Sequence, residues 1–314
     1  MKIPLSIMLM CLALTQEKAR ANEVDAAVFG VFAGSTPCDE SIRALLQIPA
    51  DAEAQVIQWK LTLRQEPKTF APAGYELHCQ YGITVAGQTG LEKSAKTLGR
   101  QGRWKMTTGT KSNPDAPVCE LDGGPSFLKV DSNVLHVLNR DRSLMVGGTG
   151  WSYTLSRTEA SEPPVDASVA GAQPAEGSYT LPPVATGPKV LGVFGGRSPC
   201  QGMARELKLN GMGGCVRVKW RITLYQNPET GMPTTYEVHN SLLRGAAREG
   251  NWTIVRGTAS DPQAIIYRLE ATKTEAALFL LKGDENVLFF LDKTLKPLVG
   301  NADLSYTLNR KRVS

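Results

Sequence analysis

One stretch of this chain occurs twice. Gly30-Val31-Phe32-Ala33-Gly34-Ser35-Thr36-Pro37-Cys38 returns as Gly192-Val193-Phe194-Gly195-Gly196-Arg197-Ser198-Pro199-Cys200. Each copy opens a segment that closes alike, on Ser152-Tyr153-Thr154-Leu155-Ser156-Arg157 and on Ser305-Tyr306-Thr307-Leu308-Asn309-Arg310. A repeat of this length implies a duplicated folding unit. The 314 residues therefore divide into two ordinary domains, and a hydrophobic content of 42% is enough to give each a core.

Within each copy, short alternating runs are broken by Gly, Pro and Asn. Gln58 to Arg64 puts Trp59, Leu61 and Leu63 on one face, and its twin does the same with Trp220, Ile222 and Leu224. Tyr75-Glu76-Leu77-His78 matches Tyr236-Glu237-Val238-His239, and Gly102-x-Trp104 matches Gly250-x-Trp252. Asp39 to Gln47 reads as a short helix or a strand entry. With about seven or eight strands per copy and no long helix, the expected class is all-β, two tandem small antiparallel barrels. Thr158 to Gly187, rich in Pro, Ala, Glu and Ser, reads as a linker. It holds a third Ser-Tyr-Thr-Leu at 178–181, by chance or as a strand docking on a sheet edge.

The N-terminus reads as an export signal: a charged start, an apolar run from Ile3 to Leu14, then Ala19-Arg20-Ala21 as a small-x-small cleavage site. That run is too short to span a membrane. The expected layout is signal 1–21, first barrel 22–157, linker 158–187 and second barrel 188–314. Losing Lys2, Lys18 and Arg20 against Glu17 takes the net charge from +5 to +3. No basic stretch suits a phosphate backbone, so nucleic acid is not an expected partner.

Export makes disulfides plausible. Cys79 and Cys119 both fall on inward phases, and their counterparts Asn240 and Tyr267 lack the thiol together. Positions that change as a pair suit a cross-strand bridge, with two free core thiols as the alternative. Cys200 and Cys215 have only each other, which leaves Cys38 over. Cys38 with His78 and Cys200 with His239 recur as pairs, but one thiolate per turn is no chelate, so no metal is expected. No nucleophile elbow, zinc-protease helix or phosphate loop is present, and none of the three histidines lies in a catalytic motif.

Leu278-Phe279-Leu280-Leu281 and Val287-Leu288-Phe289-Phe290-Leu291 are apolar on successive residues, so one barrel cannot bury both faces. The outer face of this 278–291 hairpin is expected to pack on the other barrel, the linker or a second molecule, with Leu288 and Phe290 as contact residues. The first copy carries His136 where the second has Phe289.

The ordered set Phe32-Ala33-Gly34, Pro37-Cys38, Gly102-x-Trp104, Leu138-Asn139 and Tyr153-x-Leu155-x-Arg157 resembles the N-terminal domain of the NlpE-type copper-resistance lipoproteins. The second copy repeats it with Phe194-Gly195-Gly196, Pro199-Cys200, Gly250-x-Trp252, Leu291-Asp292 and Tyr306-x-Leu308-x-Arg310. The resemblance implies a lipocalin-like barrel in the bacterial envelope and a role in envelope stress or copper handling. The family's Cys-x-x-Cys would need cysteines at Ser41 and Met203. The expected function is a non-enzymatic, periplasmic or outer-surface module binding a small ligand or an envelope protein. The rivals are a carrier of small apolar molecules and an inhibitor of an exported hydrolase acting through loops such as Gln65–Gly74.

Overall fold

The strands predicted from alternation form the walls of two closed antiparallel barrels in a computed structural model. It describes residues 26–85, 90–148, 150–160, 189–209, 214–242, 247–270 and 276–311. The expected export signal, the linker beyond residue 160 and the tetrapeptide at 178–181 lie outside these residues. The first barrel orders its strands β1 (Ala27–Pro37), β2 (Val56–Gln65), β3 (Pro72–Gly82), β4 (Lys96–Thr108), β5 (Pro117–Leu121), β6 (Ser126–Lys129), β7 (Val134–Val137) and β8 (Thr154–Arg157). The second runs β9 (Val190–Pro199), β10 (Arg217–Gln226), β11 (Pro233–Asn240), β12 (Arg248–Arg256), β13 (Ile265–Leu269), β14 (Leu278–Lys282), β15 (Val287–Leu291) and β16 (Thr307–Arg310). No described helix is long and apolar enough to cross a membrane.

Period-two alternation sends Trp59, Leu61, Leu63, Tyr75, Leu77 and Trp104 into the first barrel and Trp220, Ile222, Leu224, Tyr236, Val238 and Trp252 into the second. A buried polar tip calls for a partner, and three repeated pairs of aromatics find matching ones. Trp59 donates to Thr36 Oγ1 and Trp220 to Ser198 Oγ, each at 2.8 Å. Trp104 donates to Arg64 O and Trp252 to Tyr225 O, while Tyr75 and Tyr236 donate to Asp122 O and Glu270 O. Closure brings the first and last strands together at Phe32↔Arg157 and Phe194↔Arg310. The backbones meet so closely there that a Cβ on Gly34 would lie 2.6 Å from Thr154 O, and one on Gly196 2.6 Å from Thr307 O. The repeated glycine is a requirement of closure.

Asp39 to Gln47 resolves as a helix, α1 (Glu40–Leu46), because Asp39 Oδ1 accepts from Ile42 N and Ile42 and Leu46 reach the core. Its twin α2 (Cys200–Glu206) starts behind Pro199 with no side-chain cap.

The 278–291 hairpin packs on the first barrel. Val287 and Phe289, with Leu281 at the edge, meet Ala116, Val118, Leu128, Leu138 and Leu144 in a third apolar cluster. The contact residues differ from those expected: Leu288 and Phe290 lie inside the second barrel, and Phe290 stacks on Trp220 at 5.0 Å. Either phase of an all-apolar strand can face inward, so alternation alone could not choose. At the centre of the contact, residues meet their own repeat counterparts. Ser152 meets Ser305 at 2.7 Å, Thr154 meets Thr307 at 2.9 Å, and the His136 ring stands edge-on to Phe289 at 5.4 Å. Self-pairing of this kind marks a local two-fold axis, as in an isologous dimer.

This seam couples the barrels. Wild-type protein is expected to unfold in guanidinium chloride as one transition. Phe289→Ala should remove about 3–5 kcal/mol from the seam and split the curve in two, with Trp59 and Trp220 environments intact before the first step. A single unsplit transition in the variant would mean that the barrels do not depend on each other.

Candidate functional site

The cysteines divide by copy. Cys200 and Cys215 are joined, with Cα atoms 5.7 Å apart. Cys79 and Cys119 are free and buried, so the expected bridge between them is corrected. Strand register is the reason. Cys79 faces Leu98 across β3 and β4, whereas Cys119 faces Met106 across β4 and β5. The two positions on β4 are separated by about 26 Å at ~3.3 Å per residue, against the ~7 Å Cα limit for a disulfide. Burial pushes both thiols up to about 12, with Arg100 and Lys129 only partly opposing it. They are small core hydrophobes.

Cys38 is buried and free, its thiol raised by burial against the opposing charge of Arg43. Its place matches Cys200, because Cys38 N donates to Gln55 O and Cys200 N to Val216 O. Ala54 therefore stands where the second barrel has Cys215. In the first barrel Arg43 bonds across this loop, and Arg205 holds the matching position in the second. The Arg43 guanidinium donates to Cys38 O at 3.0 Å, Ala52 O at 2.8 Å and Ala54 O at 2.7 Å, and also to Pro49 O. A five-donor fork and a covalent bond thus tie the same two positions.

The metal candidates do not converge. His78 lies on the exposed face of β3 whereas Cys38 is buried. The Cys200 sulfur is committed to its disulfide, and His239 Nε2 meets Glu237 Oε1 at 2.5 Å. Among the described residues, no group of three or more His, Cys, Asp or Glu side chains is placed to hold a metal. In the 65–74 loop, Phe70 is 69% exposed at φ 58°, where its counterpart is Gly231 at φ 69°. A left-handed conformation costs an L-residue about 1–2 kcal/mol, so this tip holds a strained, solvent-facing aromatic.

The seam holds features that sequence reasoning missed. His136, fully buried, bonds Met145 O through Nε2 at 2.8 Å and Thr154 Oγ1 through Nδ1 at 2.9 Å. A carbonyl only accepts, so Nε2 carries the proton of the neutral ring and Thr154 donates to Nδ1. Thr154 must then accept from Ser152 and Thr307, and Ser152 from Ser305. One proton order satisfies the whole chain. Burial holds His136 down to about 4, the bond to Met145 O acting weakly the other way.

Beside this chain, side chains from the two barrels interleave. Arg197 lies over the Trp151 ring at 5.6 Å and against Gly150, and Lys311 donates to Gly148 O at 2.8 Å. Asn309 Oδ1 accepts from Gly147 N at 2.7 Å, and Ser35 donates to Ala302 O. The Lys311 stem crosses Gly195, where a Cβ would meet its Cε at 2.7 Å. Burial lowers the Lys311 ammonium, and the like charges of Arg221 and Arg197 lower it further. Arg221 Nη1 is buried and has no hydrogen-bond partner among the described residues.

Two outcomes follow. His136 in the unfolded chain titrates near 6.5 and in the folded chain near 4, so the unfolded state binds the extra proton between these values. Its contribution is fully present above pH 6.5, falls as pH drops toward 4, and amounts to about 3 kcal/mol. Thermal denaturation of His136→Phe, the residue the second barrel carries, should show a shallower loss between pH 7 and 4 than wild type. Equal slopes would contradict this. Separately, thiol titration of unreduced, denatured protein should find Cys38, Cys79 and Cys119 reactive. Ala54→Cys should lower that count by one, because the introduced thiol bridges to Cys38, adding about 3 kcal/mol. A count raised by one would show that the loops differ.

No protein-family model matches this chain, and no curated protein or solved structure matches it either.

Proposed function

We propose that the chain is an exported, non-enzymatic binding module of the bacterial envelope, NlpE-like in kind, whose partner docks on its outer surface and inter-barrel seam. The observation that carries this reading is the filled interior. Trp59, Trp104, Phe127 and Tyr153 occupy the first barrel, and Trp220, Tyr236, Trp252 and Phe290 the second, all buried. A carrier keeps that volume for its ligand. The exported setting is supported by the signal-like N-terminus and by the Cys200–Cys215 bridge. A link to envelope stress or copper handling rests on the motif resemblance alone. The strained, exposed Phe70 favours a second reading, contact with a protein through the 65–74 loop.

Two measurements test the proposal. Mass spectrometry of the periplasmic fraction should find a chain beginning at Asn22. Titration of the folded protein with 1-N-phenylnaphthylamine should give no saturable fluorescence rise, and competition against a Cu(I) chelator no tight copper. Stoichiometric dye binding that quenches the barrel tryptophans would favour the carrier. Tight Cu(I) lost in Cys38→Ser would restore the copper role.

A further inference from the structure

The duplication supplies an internal control for the seam. Arg197, Arg221 and Lys311 of the second barrel correspond to Ser35, Lys60 and Thr158 of the first. One copy therefore concentrates three cations where the other has one. Packing like charges together beside a half-buried ammonium is unfavourable without a compensating anion. Glu237 is the carboxylate whose charge reaches Arg221. Its oxygens are already engaged, by His239 at 2.5 Å and by Tyr225 Oη at 3.3 Å. No ion pair joins Arg221 or Lys311 to a carboxylate among the described residues.

Arg197 and Lys311 are also held in place. Trp151 and Gly150 flank the Arg197 guanidinium, Gly195 leaves the sheet open beneath the Lys311 stem, and Gly148 O anchors its Nζ. Planar guanidinium forks beside a point charge suit a group with several charged oxygens. A phosphate group, carrying about −1.5 to −2 charge at neutral pH, matches the two cations Arg221 and Lys311 better than a single carboxylate does. We propose that Arg197, Arg221 and Lys311, with Trp151 opposite, form an oxyanion site across the seam that takes a phosphate group, free or on a small molecule or lipid. This deepens the binding-module reading, yet it stands or falls on phosphate and not on export or dye exclusion.

The test is a titration of the full chain with inorganic phosphate at constant ionic strength, chloride being exchanged for phosphate. Wild-type protein should gain about 2–4 °C in melting temperature at ten times the dissociation constant. Arg221→Gln and Lys311→Gln should weaken binding at least tenfold. Gly195→Ala, which installs the residue the first barrel carries as Ala33, should keep the fold and both charges while displacing Lys311. A severalfold loss of affinity there separates a built site from diffuse charge. Sedimentation with phosphatidylglycerol vesicles identifies the source. Wild-type binding lost in Arg221→Gln assigns the site to a lipid headgroup, and phosphate binding without sedimentation assigns it to a soluble phosphate. No thermal shift, or one shared equally by all three variants, overturns the site.

Discussion

A strand that is apolar on both faces has to be covered on both, and β15 transmits that constraint to the rest of the molecule. Its inner residues, Leu288 and Phe290, complete the second core. Its outer residues, Val287 and Phe289, would expose a hydrophobic patch on an isolated barrel, and the first barrel covers them. Covering them buries the strand ends around Thr154 and Thr307, whose hydroxyls then lose water and must bond each other. The polar chain at the seam is thus a consequence of the apolar contact. Because neutral His136 accepts at Nδ1, that chain has one workable proton order. Protonation turns Nδ1 into a donor facing a hydroxyl that already donates to it, so the charged ring conflicts with the proton order of the seam.

The two copies keep whatever closes a barrel and differ in what secures its loops. The two repeated tryptophan pairs, Tyr75 with Tyr236, and the closing arginines find matching acceptors in both. Arg43 bonds across the first crossover loop in one copy, and a disulfide crosses it in the other, which carries Arg205 at the matching position. A guanidinium fork loses its hold as soon as the loop frays, whereas the disulfide also restricts the unfolded chain. The disulfide occurs in the copy whose helix lacks the Asp39 cap, and there it fixes the helix's first residue, Cys200.

Much of this was legible from residues. Repeat length, Trp and Tyr phases and the need to cover the 278–291 hairpin follow from alternation, which is a local property. What failed depends on register. Cys79 and Cys119 share an inward phase, but their separation is set by how far β4 slides past its neighbours, and no local pattern encodes that shift. Alternation places Leu288 and Phe290 on the wrong face because nothing in Val287 to Leu291 is polar. The twin strand held the answer: His136 occupies the position of Phe289, and a histidine on a barrel strand marks the outer face. The cation cluster was invisible for a different reason. Arg197, Arg221 and Lys311 come from three strands or their ends, beside a loop of the other domain, and lie far apart along the chain.

The position of that cluster has a thermodynamic consequence. Its cations belong to one barrel and its aromatic and carbonyl contacts to the other, so a ligand held there is bound only by the joined form. Such a ligand stabilises the seam, and by reciprocity anything that loosens the seam weakens the ligand. Protonation of His136 acts on the neighbouring end of the same contact, through Thr154 and Thr307. Acid and ligand are therefore opposed without touching each other, and no moving part is needed beyond the fit of two barrels. A lone barrel with the same residues would have cations but no coupling. The duplication is what places this charge cluster against the aromatic ring and carbonyl of a second barrel.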